Sequence, residues 1–223
     1  MAQQHSNKQT LTTAALVVAF LGVFGPTCWA QSAPNLAPEP PEFVTSRLTK
    51  DQLHALRQGG FVLYMRHGTT DSSQPDQPGL DINNCSTQRP LSDEGRKVAR
   101  QVGAAIKKLR IPVGEVRASP LCRTRETAQL AFGDKVTADP LLIYTSHLTS
   151  LQKQPIIENT RKQLSEPVPQ GTNRVLVAHG PNLADVMGYF VKPEGTVVVL
   201  QPRGQNKFDY LATVTPDQWA ELR

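Results

Sequence analysis

A chain of 223 residues with 39% apolar side chains is long enough for one domain with a sizeable core. Its formal charge of +5 is a mild cationic excess, and no run of Lys and Arg is dense enough for a nucleic-acid-binding or polybasic membrane patch. None of its five histidines falls in a His-x-x-x-His or Glu-x-x-His set and no Gly-rich nucleotide loop is present, so neither a metal nor a cofactor is expected.

Lys8 alone precedes a mostly apolar run from Leu11 to Phe24, too short to span a bilayer comfortably. Small Ala30 then marks a cut. Residues 1–30 read as a secretory signal peptide, which predicts a periplasmic or secreted protein with no stable membrane insertion after cleavage. The rival is an uncleaved anchor that holds an adaptor at a membrane. Gly25-Pro26-Thr27 ahead of Cys28 is unlike a lipobox. Residues 31–44, rich in Pro, Ala and Asn, read as an extended linker, and the domain proper spans 45–223.

A short helix is expected over Thr49 to Leu56, with Leu53 and Leu56 on one face and Gly59-Gly60 ending it. The run Phe61 to Met65 has the length and composition of a strand buried on both faces. It ends in Arg66-His67-Gly68. A long polar stretch, Thr69 to Pro90, follows; loops of that length in compact domains are usually functional or mobile. Ser92 then caps a helix whose stripe is Val98, Val102, Ile106 and Leu109. Further on come a strand over Glu115 to Ser119, a helix from Thr124 to Phe132 and a weaker helix from Ile156 to Leu164. Arg174 to Ala178 reads as a second buried strand, and Pro181 as the first residue of a helix. Thr196 to Leu200 and Phe208 to Val214 read as strands joined by a Pro-Arg-Gly-Gln-Asn turn. The alternation argues for an α/β sandwich, mostly parallel, with an antiparallel addition near the C-terminus.

Three segments place a cation or an imidazole just past a strand: Arg66-His67-Gly68, then Ala118-Ser119-Pro120-Leu121-Cys122-Arg123-Thr124, then Ala178-His179-Gly180. In open α/β sheets ligands bind beyond the carboxyl ends of strands. Taken singly, each residue has a plainer reading. His179 can be a core histidine bonded to backbone, Arg123 a partner of Glu126, and Arg66 a surface cation. In this order and spacing, the three segments resemble the histidine phosphatase superfamily, whose relatives include cofactor-dependent phosphoglycerate mutases. The resemblance spans roughly residues 58–190. It implies a three-layer, phosphoglycerate mutase-like sandwich and a metal-independent phosphatase. It assigns His67 as the nucleophile that becomes phosphohistidine, His179 as a second imidazole on the phosphate, which if protonated would add charge where it develops, and Arg66 and Arg123 as phosphate-binding forks. Thr70 and Asn182 lie near the motifs and can donate hydrogen bonds. Arg125 reads as a solvated helix residue.

One departure concerns the proton donor. Many members carry a glutamate shortly after the second motif, and that position here is held by Tyr144, or by Ile143 if the register slips. The second branch uses an Asp after the second His, where this chain has Gly180. Asp71, Asp139, Asp185 and Glu194 are substitutes that nothing in the sequence ranks. The expected activity is hydrolysis of a small phosphorylated substrate, a phosphomonoester such as an envelope sugar phosphate. The alternatives are a phosphohistidine protein phosphatase or a non-catalytic phosphate binder that has lost the acid. Finally, loss of the leader leaves Cys85 and Cys122. An even count in an exported chain permits a disulfide, which here would tie the long loop across the site. The rival is two separate thiols.

Overall fold

The computed structural model describes residues 42–222. The expected leader, and the expected linker up to Pro41, lie outside them. Helix α1, Lys50–Gln58, starts at a capping box in which Thr49 and Gln52 satisfy each other's backbone N–H groups. Strand β1, Val62–Arg66, follows. Helix α2, Asp93–Lys108, is capped by the Ser92 hydroxyl, which accepts from the Gly95 N–H. Then come β2, Val113–Ala118, α3, Cys122–Phe132, the short β3, Thr137–Ala138, and α4, Ser150–Ser165. The chain closes with β4, Asn173–Ala178, α5, Gly180–Met187, and the hairpin of β5, Val197–Gly204, and β6, Lys207–Val214.

The strands form one sheet in the order β3-β2-β4-β1-β5-β6. Pairing is parallel from β3 to β1 and antiparallel between β1, β5 and β6, so β5 alone runs against the rest. Side chains of β1 alternate between two cores, as the pleat requires. Leu63 and Met65 meet α1, α2 and α3 on one face. Val62 and Tyr64 meet α4 and α5 on the other. All six residues of β4, the strand beside β1, are buried. This explains its uninterrupted apolar run. The expected sandwich, mostly parallel with an antiparallel addition, is the observed one.

Four details differ from expectation. Helix α4 starts at Ser150 rather than Ile156, on a capping box of Thr149 and Gln152, and Pro155 inside it hid the early turn. Pro181 is the second helical residue, because His179 occupies the cap and Gly180 the first position. The hairpin turn is only Gln205-Asn206, both at positive φ (51° and 60°), the twist that suits a two-residue connection. Phe43, read as linker, stacks on Tyr189 with ring centroids 4.6 Å apart.

Candidate active site

The C-terminal ends of β2, β4 and β1 lie side by side, and the three sequence motifs meet above them. The His67 N–H donates to the Ala178 carbonyl at 3.1 Å, and the Ser119 N–H to Val177 at 2.9 Å, so neighbouring strands hold both turns. Gly68 is needed for close approach. A Cβ there would press on the Gly95 carbonyl at the start of α2, and a Cβ on Gly95 would overlap the Thr69 carbonyl. The two glycines let the first turn of α2 lie against the motif.

His67 is 2% exposed. Its Nδ1 lies 2.9 Å from the Gly68 carbonyl, which can only accept, so Nδ1 carries the proton. Burial, opposed by that hydrogen bond and reinforced by Arg123, Arg66 and Arg89, holds its pKa well below the ordinary value. The ring is therefore neutral across the physiological range, with its lone pair on Nε2. No group among the described residues hydrogen-bonds to Nε2.

His179 lies with its ring centroid 5.3 Å from that of His67. Its Nε2 is 2.8 Å from the Ser119 hydroxyl, and its backbone carbonyl accepts from the buried Tyr64 phenol at 2.7 Å. Its Nδ1 is buried with no partner among the described residues. Burial first, then His67 and the three arginines, lower its pKa well below the ordinary value. Burial and the neighbouring cations thus favour the neutral imidazole in the free protein.

Two arginines converge on the histidines from fixed positions. Arg66 donates to the Val191 carbonyl at 2.9 Å and to Glu194 at 3.0 Å, and its guanidinium lies 5.3 Å from the Phe190 ring. It is therefore an anchored group rather than a surface cation. Arg123 is fully buried near the start of α3. Its Nη1 donates to Asp76 at 3.0 Å, and the Tyr144 ring lies 5.7 Å from its carbon centre. Glu126 pairs with Arg96 instead. Arg123 Nε and Nη2, and Arg66 Nε, are buried donors without a partner among the described residues. Buried donors left open are costly, of order 1–3 kcal/mol each, and open, buried donor atoms on two neighbouring cations describe an anion site.

The structure also adds residues that the sequence did not single out. Arg89 lowers the pKa of both imidazoles and of Arg123, and its own Nε is buried without a partner among the described residues. Asp76, in the middle of the long loop, reaches Arg123. Phe190 backs Arg66. None has a local signal, because each arrives from a loop whose course depends on the tertiary fold.

Of the weaker candidates, Thr70 donates its N–H and hydroxyl to Glu194, at 3.0 and 3.2 Å. Asn182 donates its amide to the Leu142 and Ile143 carbonyls and so fixes the segment that carries Tyr144. Both have their donors occupied within the protein. Arg125 is half-buried rather than solvated, with Nη2 3.3 Å from Cys122 Sγ. Among the described residues no cluster of His, Cys, Asp and Glu is arranged to hold a metal.

Cys85 and Cys122 form a disulfide, with Cα atoms 5.7 Å apart. The Cys122 N–H also donates to the Gln88 side-chain oxygen of the loop at 2.7 Å. The loop that begins at His67 is thus fastened beside Arg123. The bond closes 37 residues of chain, which the chain-entropy model values at about 4 kcal/mol. Replacing both cysteines by serine should lower the thermal midpoint by about 10 °C, read by calorimetry, and reduction of the wild type should give the same shift. An unchanged midpoint in both would show that the loop is held without the bond.

Comparison with known proteins agrees with this geometry. Residues 62–166 match the model of the histidine phosphatase superfamily, branch 1. That span includes Arg66, His67 and Arg123 and stops short of His179. A candidate alpha-ribazole-5'-P phosphatase of Escherichia coli superposes with a TM-score of 0.54 at 16% identity, over 70% of this chain and 97% of that one. Alpha-ribazole phosphatase from Shigella flexneri gives 0.51 at 16%, over 70% and 96%. A histidine-to-alanine variant of phosphoserine phosphatase from Entamoeba histolytica, in complex with phosphoserine, gives 0.50 at 15%, over 71% and 98%. No curated protein matches the sequence. At these identities the likeness is one of fold: a mixed six-stranded sheet flanked by helices, the phosphoglycerate mutase-like architecture of these phosphatases.

Proposed function

We propose that this chain is an exported, metal-independent phosphatase that hydrolyses a phosphomonoester through a phosphohistidine on His67. The observation that carries the reading is the set of open, buried donors on Arg123 and Arg66 beside a neutral imidazole whose lone pair is free. A phosphate dianion placed there accepts from Arg123 Nε and Nη2 and from Arg66 Nε. His67 Nε2 then attacks phosphorus in line with the leaving oxygen. The fixed guanidinium forks meet the charge on the equatorial oxygens without reorganisation, usually the largest catalytic effect. The Ser119 hydroxyl can donate to His179 Nε2, which leaves the proton of the neutral ring on the open Nδ1 as a further donor to the dianion. Water then hydrolyses the phosphohistidine.

The structural neighbours include a phosphoserine phosphatase and an alpha-ribazole phosphatase, which supports a small substrate. Export would bring envelope sugar phosphates within reach. A phosphohistidine protein is the second substrate class, favoured by Tyr144 in place of the family's glutamate, since phosphohistidine needs little help in leaving.

The test is a turnover screen of the purified protein with a phosphomonoester panel and a phosphohistidine protein. Release of phosphate, inhibited by vanadate and indifferent to chelators, is expected. Tight phosphate binding with no release would identify a binder instead. Export is tested separately, by the mass of protein recovered from the envelope fraction. The expected N-terminus is Gln31, and retention of Met1 or an acylated Cys28 would refute the cleaved leader.

A further inference from the structure

We propose that Asp76 is the proton donor to the leaving oxygen, an inference that rests on the phosphatase reading above. By the resemblance, Tyr144 or Ile143 takes the place of the family's glutamate, and neither is a carboxylate; the Tyr144 ring lies against Arg123 and, at 5.3 Å, against His179. Other carboxylates are placed elsewhere. Asp139 accepts from Asn159, Gln163 and the Leu141 N–H. Asp185 is paired with Lys153, and Asp71 is occupied by Ser73 and Gln74. Glu194 lies 3.9 Å from His67 Nδ1. The two ring nitrogens point in nearly opposite directions, so Glu194 stands behind the nucleophile and cannot reach a group leaving on the far side of phosphorus.

Asp76 stands at the phosphate's own arginine. Its Oδ1 accepts from Arg123 Nη1 at 3.0 Å and from the Arg89 N–H at 2.8 Å. No hydrogen bond engages Oδ2 among the described residues. The side chain is 20% exposed, and the disulfide fastens its loop. Charge balance supplies the proton. Arg66, Arg89 and Arg123 face Glu194 and Asp76, and both imidazoles are neutral, so the empty site carries one net positive charge. A phosphate dianion turns that into one net negative charge. One proton restores balance, and the carboxylate that shares Arg123 with the dianion is a natural place for it, because a close like charge favours the acid form.

The step then closes. His67 Nε2 donates its lone pair to phosphorus, the P–O bond breaks towards the leaving oxygen, and that oxygen takes the Asp76 proton to depart as the alcohol. In the second half, water attacks phosphorus, loses a proton to the Asp76 carboxylate, and the P–N bond breaks to return neutral His67 and inorganic phosphate.

The experiment compares kcat/KM for an alkyl phosphate, whose leaving oxygen needs a proton, with that for 2,4-dinitrophenyl phosphate, whose leaving oxygen does not. In Asp76→Asn the alkyl-to-dinitrophenyl ratio should fall about 100-fold or more, the usual worth of a general acid. Asp76→Glu should restore at least a tenth of the lost ratio. Asp76→Ser, which can still accept from the Arg89 N–H, should match the Asn variant and serves if that protein fails to fold. A ratio equal to wild type overturns the proposal. If both esters then react faster, Asp76 is only a competitor for Arg123; if both slow equally, it only holds the loop. Absence of phosphohistidine in the wild type counts against the phosphatase reading, a separate result from any change in this ratio.

Discussion

His67→Ala should abolish turnover, a loss on the order of 10⁴-fold or more. The substitution removes the neutral imidazole that the Gly68 carbonyl, by holding the proton on Nδ1, leaves with its lone pair on Nε2. His179 has its Nε2 on Ser119, and Tyr64 holds its backbone from below. The variant should still fold, since the strand-end bonds at this position are backbone bonds, from the His67 N–H to Ala178 and from the Gly195 N–H to the His67 carbonyl. It should also still bind phosphate, because both arginines remain. Steady-state kinetics with phosphate protection in a thermal melt checks both halves. Turnover within tenfold of wild type would remove His67 from the chemistry.

Arg123→Met should cut kcat/KM about 10³-fold, the upper range for loss of a preorganised donor to a transition state. Its effect on stability should have the opposite sign from that of a structural arginine. The native guanidinium is fully buried with Nε and Nη2 unpartnered, and burial pushes its pKa down while Asp76 opposes the shift. An apolar side chain of similar length removes two open donors and a buried charge, and Asp76, partly exposed, can hydrate. The thermal midpoint should therefore hold or rise by about 3 °C in the absence of ligand. Inorganic phosphate should stabilise the wild type and not the variant. A clear drop in midpoint, with phosphate stabilisation retained, would make Arg123 a strut rather than a ligand.

The uneven legibility of the chain has a physical cause. Features set by adjacent residues could be read: the Ser92 cap, the apolar stripe Val98 to Leu109, and the doubly buried strands β1 and β4. The motif residues Arg66, His67, Arg123 and His179 could be grouped because strand ends in a parallel sheet lie side by side. Helix α4 was only half visible, since Pro155 looks like a breaker while the capping box ahead of it restores the helix. Strand β3 has two residues and depends wholly on β2. Asp76 and Arg89 were invisible as site residues, because a polar loop of this length has no period. Its course is set by the Cys85–Cys122 bond and by contacts such as Gln88 on the Cys122 N–H. The cysteine pairing itself was within reach of counting; its consequence, a carboxylate delivered to the buried arginine, was not.

The central claim is covalent, and one measurement reaches it directly. The wild-type protein is mixed with a rapidly reacting aryl phosphate, quenched in denaturant at alkaline pH, where phosphohistidine survives, and digested for mass spectrometry. The account predicts one phosphoryl group, on the peptide containing His67, attached through Nε2, appearing in a burst and absent from His67→Ala. Turnover without any such label, or a label on another residue, would contradict it.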